Sequence, residues 1–369
     1  MQLIVLGMHR SGTSTVARLL NMMGAYFAPA ELAMLATEYN EKGYWERMDV
    51  FGVHEEMFHA LGMGWDRVAH FDAQRLAEPE FVAKFRPRIE QILLDLDARR
   101  PWFVKDPRLN LLLPFWQPLL EVPVCIYVHR NPIQVAQSLR KREGFPLSLG
   151  LALWEQYSLL GLAHSSGMPR LWVSYHDVMR EPVEVTRRLH AQLLELEVQG
   201  LRMPSQREIE AFIEPRLYHQ KGNQTLQNGF ANAQQRELDQ AFSDGSILSW
   251  PELPTLSAGA AEILQAHQES LAAQTRFTTE KACLEDELEG QRQQTELAMT
   301  AVHELSGELE AVRRWVETIE ATAQERAVQI TQLDSALETA RHASVLLSTE
   351  IATLRNSLAW RITAPLRGI

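Results

Sequence analysis

The sequence predicts an α/β domain, a P-loop-like parallel sheet flanked by helices, over residues 1–253. A long α-helical coiled coil over 254–358 and a short basic, apolar tail over 359–369 follow it. Three observations carry this reading. Short apolar runs alternate with helical periodicities as far as about Leu253, the pattern of a parallel sheet covered by helices on both faces. Proline is then absent from Thr255 to Ala364. Finally, from Leu305 an alternating three–four spacing runs through Leu309, Val312, Val316, Ile319, Ala323, Arg326 and Ile330 to Leu358, with only Arg326 and Ser344 not apolar. A 3.5-residue repeat of that length predicts a left-handed coiled coil.

Taken in order, Leu3-Ile4-Val5-Leu6 is a short buried strand, and Val16, Leu19, Leu20 and Met23 recur at helical spacing after it. A helical stretch carries Phe51, His54, Met57, Phe58 and Leu61, and a second amphipathic helix covers 79–98. Trp102-Phe103-Val104 is a short strand ending in Lys105-Asp106-Pro107-Arg108. Pro123 to Val128 is the clearest buried strand; it ends in His129-Arg130-Asn131-Pro132, and a helix from Ile133 to Arg142 follows. A helix containing Trp154 leads to a fourth strand, Arg170 to Val173, which ends in Ser174-Tyr175-His176-Asp177. All four strand ends carry polar or charged residues. In parallel sheets ligands sit beyond the carboxyl ends of the strands, so one shared site is expected there.

Charge and composition narrow the class. Of the formal net charge of −11, most lies in residues 258–358, which hold 17 Asp and Glu against 8 Lys and Arg. The sheet domain is therefore nearly neutral, and the balance argues against nucleic acid as a partner. The two cysteines, Cys125 and Cys283, are far apart and form no disulfide framework; Cys125 lies within a strand and reads as core. No signal peptide is expected ahead of the first strand, and no apolar run reaches the ~18 residues of a membrane span. The expected location is cytoplasmic.

The stretch Gly7-Met8-His9-Arg10-Ser11-Gly12-Thr13-Ser14 joins the first strand to the first helix. Backbone N–H groups at a helix N-terminus point at an anion, and the helix dipole favours its charge. A Walker loop reads G-x-x-x-x-G-K-[ST]; here Gly7 and Gly12 keep the separation, Thr13 stands where the Lys would be, and the cation is Arg10. A second anion handle is Arg130 at a strand end, with Ser138 a little over two helical turns on. With these motifs the chain resembles the sulfotransferases that use 3′-phosphoadenylyl sulfate. The resemblance covers about residues 1–225. It implies that His9, Arg10, Ser11, Gly12, Thr13 and Ser14 bind the 5′-phosphosulfate, and that Arg130 and Ser138, in an Arg-x-Pro helix start, bind the 3′-phosphate. Tyr175, in Tyr175-His176-Asp177-Val178 where the family often has Tyr-Glu-Asp-Leu, would lie by the adenine.

Sulfuryl transfer needs an in-line nucleophile, a stabilised leaving group and a proton acceptor. Arg10, the loop N–H groups, Thr13 and Ser14 would stabilise the leaving group, with Lys105 as a second cation on the donor. Cytosolic members of the family use a His just after a strand-end Lys, where this chain has Pro107. Glycan-modifying members use a Glu after the first helix, which Glu46 in Gly43-Tyr44-Trp45-Glu46 resembles. Glu46 is therefore the expected general base, with Asp106 and Asp49 as competitors. Arg216, His219 and Lys221 form a late basic loop like the one that closes over the 3′-phosphate in the family. His54 and His59 are five residues apart and cannot share a helix face as an i,i+4 pair does, so no metal site is expected.

The resemblance points to a carbohydrate or surface-polysaccharide precursor as the hydroxyl acceptor. Coiled coils ending in Trp360-Arg361-Ile362-Thr363-Ala364-Pro365-Leu366-Arg367 look like those of bacterial polysaccharide-assembly enzymes. The seam over 305–358 calls for a second copy or a partner helix, and the tail is compatible with peripheral membrane contact. Two other functions fit parts of the sequence: a P-loop small-molecule kinase, against which the missing Walker Lys counts, and a nucleotide-binding coiled-coil scaffold without transferase activity.

Overall fold

The computed structural model describes residues 1–36, 43–213, 230–317, 334–350 and 353. Two compact units divide the chain, Met1–Glu269 and Ser270–Ile369.

The first unit is built on four parallel strands, β1 (Gln2–Leu6), β2 (Trp102–Lys105), β3 (Pro123–His129) and β4 (Arg170–Ser174), in the order β2-β1-β3-β4. Helices follow in chain order: α1 (Thr13–Met22), α2 (Met48–Ala60), α3 (Pro79–Asp97), α4 (Leu109–Trp116), α5 (Pro132–Glu143), α6 (Leu147–His164), α7 (Tyr175–Arg180), α8 (Pro182–Glu195), α9 (Gln206–Phe212), α10 (Ala233–Ser243) and α11 (Ala258–Glu317). Strand side chains alternate between two cores. Ile4, Leu6, Trp102, Val104, Cys125 and Tyr127 face the core made with α2, α3, α4 and α6. Leu3, Val5, Phe103, Val124, Ile126 and Val128 face the one made with α1 and α8. Double-sided burial explains why these strands read as continuous apolar runs. Cys125 is in the core, and burial pushes its thiol up to about 12.

β1 is central, so its carboxyl end opens between those of β2 and β3. The register pairs Val5 with Lys105 on one side and Ile126 on the other, and His129 with Ser174. The candidate residues at all four strand ends are thus brought to one edge of the sheet.

Local chemistry accounts for the helix that carries Ser138. Asn131 caps α5 by accepting from the N–H groups of Ile133 (3.2 Å) and Gln134 (3.3 Å), and Pro132 occupies the first helical position. Arg140, Lys141 and Arg142 fill the last turn, where cations suit the dipole, and Gly144 ends the helix at φ +75°.

The long helix begins later than composition suggests and belongs at first to the sheet unit. Ala260 and Leu264 are buried in its core. Glu155 of α6, fully buried, accepts four hydrogen bonds: from Gln234 (3.1 Å), from Gln235 (2.9 Å), and from the backbone N–H (2.7 Å) and hydroxyl (2.9 Å) of Ser257. Ser257 immediately precedes α11. Truncation after Leu253 removes half the donors of this carboxylate together with Leu264. An unsatisfied buried polar group costs about 1–3 kcal/mol and a buried Leu side chain is worth about 1.5–3 kcal/mol. Truncation after Leu253 is therefore expected to lower Tm by roughly 10 °C relative to truncation after Glu269, measured by differential scanning calorimetry.

In the second unit, α11 continues to Glu317 and residues 334–350 are again helical. Most of the repeat that predicts a coiled coil falls on 311–333 and 354–358, which, like the tail over 359–369, lie outside the residues whose side chains are described. No helix among the described residues is long and apolar enough to cross a membrane.

Candidate active site

β1 delivers the chain to Gly7, and Asn110 of α4 takes hold of it there. Asn110, wholly buried, accepts from the Gly7 N–H (3.2 Å) and donates to the Gly7 carbonyl (3.0 Å) and the Pro107 carbonyl (2.6 Å). Gly161 of α6 makes room for this side chain, since a Cβ there would come within 2.3 Å of the Asn110 amide oxygen. Beyond Gly7 the loop turns through two left-handed residues, Arg10 at φ +68° and Gly12 at φ +91°. The first costs about 1–2 kcal/mol for a residue with a Cβ, and such strain clusters at functional sites. Gly12 begins α1 without a side-chain cap; its carbonyl accepts from the Thr15 N–H (3.0 Å), and no cap side chain accepts from the N–H groups of Thr13 and Ser14.

The strained Arg10 is held from β3 and α5. Its Nε donates to Ser138 Oγ (2.9 Å), while Arg130 donates to the Arg10 carbonyl (3.0 Å) and to Gln134 Oε1 (3.2 Å). The Arg130 guanidinium also lies 4.8 Å from the centre of the Tyr175 ring, a cation–π contact. Tyr175 itself covers Gly12, where a Cβ would come within 2.1 Å of the ring. The residues expected to form two separate anion handles are thus joined into one cluster by Arg10. Burial, then Arg142, then Arg130 lower the Arg10 guanidinium from its ordinary value. Burial is the larger cause; the smaller part, from Arg142 and Arg130, reflects cations gathered around the loop, which suits an anionic ligand. Gly12→Ala forces Tyr175 off the loop against an already unfavourable φ. The expected result is loss of at least roughly tenfold in nucleotide affinity with Tm lowered by a few degrees, checked by calorimetry.

The carboxyl end of β2 supplies the next group. Lys105 and Glu46, both almost entirely buried, form an ion pair. Burial pushes the Glu46 carboxyl above the ordinary carboxylate range, against the pull of the Lys105 ammonium. Glu46 follows Trp45, which is left-handed at φ +57° and packed against Phe27 (5.4 Å between centroids) and the Arg18 guanidinium (4.5 Å). The Glu46 carbonyl accepts from Met34 N–H (2.9 Å), which ties this segment down.

The two competing carboxylates are engaged elsewhere. Asp49 pairs with Arg47 through both oxygens (3.0 and 2.8 Å). Asp106 receives His54 Nδ1 (2.9 Å) and Arg108 (3.1 Å). Although burial works to raise it, Arg108 and His54 hold the Asp106 carboxyl far below the usual range. Trp116 Nε1 donates to His54 Nε2 (2.9 Å), and since indole can only donate, the proton of His54 is on Nδ1, facing Asp106. His54 is therefore a fully buried brace between α2, α4 and the β2 end.

The sequence pattern of the family described as Sulfotransferase family matches residues 2–199, more than half of the chain and all four strands. The chain belongs to the sulfotransferase family. Among solved structures, the sulfotransferase domain from the Synechococcus PCC 7002 olefin synthase is similar at 17% identity, covering 72% of this chain and 94% of that one, with a TM-score of 0.34. No curated protein matches the sequence.

Other expected site residues of this sulfotransferase fall out as follows. Ser11 and Thr13 are buried at the turn into α1, and Ser14 lies in the first turn. His9 packs its ring against Trp65 (4.7 Å) and Tyr157 (5.8 Å), and its Nε2 is buried with no hydrogen-bond partner. Burial, followed by Arg108 and Arg142, moves its pKa well below the ordinary value, so the imidazole is neutral. Arg216, His219 and Lys221 lie outside the described residues. Sequence reasoning missed Asn110, Arg108, His54 as a brace, and Arg142, which stands over Trp65 at 5.5 Å. The polar run at the β2 end was the available signal for Arg108; nothing local marks Asn110, whose partner is 103 residues away.

Proposed function

We propose that the protein transfers a sulfuryl group from 3′-phosphoadenylyl sulfate to a hydroxyl of a carbohydrate or surface-polysaccharide precursor. The observation that carries the donor reading is the gathering of Arg10, Arg130, Ser138 and Tyr175 at the N-terminus of α1. The donor bears a phosphosulfate at one end and a separate phosphate at the other, and the residues fit such a molecule. The loop and Arg10 would hold the phosphosulfate, Arg130 and Ser138 the 3′-phosphate, and Tyr175 would border the adenine.

When bound, the donor supplies an activated sulfuryl group. The chain's own residues do the rest. Arg10, Lys105 and the α1 N-terminus place positive charge where the leaving group gains negative charge. Glu46, raised by burial, is the general base that takes the acceptor's proton onto a carboxylate oxygen. Asp49 and Asp106 are committed to Arg47 and to His54 with Arg108. The Glu-type base supports a glycan acceptor through the family resemblance.

We further place a self-association or partner-helix interface along 305–358. Leu305 and Leu347, both on the predicted seam, are exposed within the chain. A peripheral membrane or protein contact is assigned to the tail, and the cytoplasm to the enzyme.

Isothermal titration calorimetry with adenosine 3′,5′-bisphosphate and with ATP tests the donor reading. Preference for the bisphosphate supports it, and tight ATP binding without preference overturns it.

A further inference from the structure

The 3′-phosphate reading of Arg130 leaves open what aims its side chain, and the answer lies outside the stretch that matches the family. Arg130 is flanked by His129 and Asn131, and both neighbours are held by one carboxylate, Asp239 of α10. His129 Nε2 lies 3.1 Å from Asp239 Oδ1, and Asn131 Nδ2 donates to Oδ2 at 3.0 Å. A carboxylate only accepts, so His129 carries its proton on Nε2. Asp239 is 8% exposed and sits 108 residues or more from both partners in sequence.

In extended chain, side chains one residue on either side of a position leave from the opposite face. A grip on His129 and Asn131 together therefore turns Arg130 the other way, toward the Arg10 carbonyl and the Tyr175 ring, where it is found. The grip is built. Phe242, three residues after Asp239 and on the same helix face, stacks on the His129 ring at 5.2 Å and 8° and on Trp172 at 5.0 Å and 19°. Asn131 is meanwhile fixed by its cap on α5. At the other end of α10, Asn232 and Gln235 form a capping box, and Gln235 reaches Glu155.

We propose that Asp239 is a positioning residue for the Arg130 anion site, and that α10 fixes the aim of that arginine at a 3′-phosphate. The inference rests on the donor reading above. Asp239 acts through His129 and Asn131, which its two carboxylate oxygens hold.

The test compares adenosine 3′,5′-bisphosphate with adenosine 5′-monophosphate, which differ only in the 3′-phosphate, by calorimetry on the full chain. Asp239→Asn keeps size and shape but sets an amide donor against the donor of His129 or Asn131; Asp239→Ala removes both bonds. Gln235→Ala cuts the tie to Glu155 and leaves the grip intact. The expected result is a loss of roughly tenfold in preference for the bisphosphate in Asp239→Ala, and a smaller loss in Asp239→Asn, with monophosphate affinity retained. Gln235→Ala should lower Tm and keep the preference. Equal losses for both nucleotides, or the same loss in Gln235→Ala, would show a merely structural role and overturn the proposal. A wild type with no preference for the bisphosphate overturns the donor reading itself, an outcome distinct from a wild-type preference that survives in Asp239→Ala.

Discussion

Arg130→Ala is expected to weaken adenosine 3′,5′-bisphosphate by roughly 10–100-fold while leaving adenosine 5′-monophosphate within a few-fold of wild type. A hydrogen bond to a charged group is worth about 1.5–3 kcal/mol, and each 1.4 kcal/mol is a factor of ten in Kd. The effect is concentrated on the 3′ end because Arg130 meets the loop at the Arg10 carbonyl and borders Tyr175, whereas the α1 N-terminus would hold the 5′ group. The same substitution frees that carbonyl, so a few-fold loss at the 5′ end is included in the expectation. Unchanged bisphosphate affinity by calorimetry would remove Arg130 from the site. A uniform loss for both nucleotides would mean that its work is to shape the loop.

The second large effect is on turnover. Glu46→Gln should reduce kcat by roughly 10²–10⁴, the usual contribution of a general base, with bisphosphate binding kept. It also leaves the Lys105 ammonium buried without its anion, so Tm falls too; bisphosphate affinity separates lost chemistry from lost fold. The pH dependence follows from the direction of the Glu46 shift. Burial raises the carboxyl pKa in the folded state and the base must be ionised, so kcat/KM should climb along an acid limb centred above the ordinary carboxylate range. Stability runs the other way. A group whose folded pKa is raised contributes stability that is complete below its unfolded value and lost as pH rises through the folded one. Activity thus grows over the window in which this contribution disappears. Full sulfuryl transfer by Glu46→Gln, or an unshifted acid limb in wild type, would move the base elsewhere.

Much of the fold is legible in the sequence because burial is written locally. β1 from Leu3 to Leu6 and β3 from Val124 to Val128 are unbroken buried runs since both faces are covered, and α1 and α3 show their stripes at helical spacing. The β1–α1 loop is legible for the same reason: its glycines, hydroxyls and arginine sit together in sequence between a strand and a helix. The Arg130-Asn131-Pro132 turn also announces itself, since Asn131 caps and Pro132 starts the helix it precedes.

What could not be read are the partnerships made across the sheet. Local periodicity tells which face of an element is covered and is silent on what covers it. Asn110 reads as one polar residue in the apolar run Leu109–Trp116, yet it holds Gly7 on both sides. Glu155 reads as a charge on an apolar helix, yet it gathers α10 and the start of α11. The drop in aromatic and proline content after Pro254 places a boundary there, whereas Ala260 and Leu264 carry the core on into the long helix. Composition averages over a window; burial is decided residue by residue.

The sequence alone determined the parallel sheet, the glycine- and hydroxyl-rich β1–α1 loop without a Walker lysine, and the placement of Arg10, Lys105, Arg130 and Tyr175 beyond strand ends, because each depends on neighbours within a few residues. Tertiary structure alone decided that Arg10 and Ser138 bond to one another, that Glu46 faces Lys105 while Asp49 and Asp106 are already taken, and that Asp239 stands behind Arg130. The contacts of Arg10 with Ser138, of Glu46 with Lys105 and of Asp239 with the neighbours of Arg130 join residues 59 to 128 positions apart. They exist only once the sheet has brought its strand ends to a common edge.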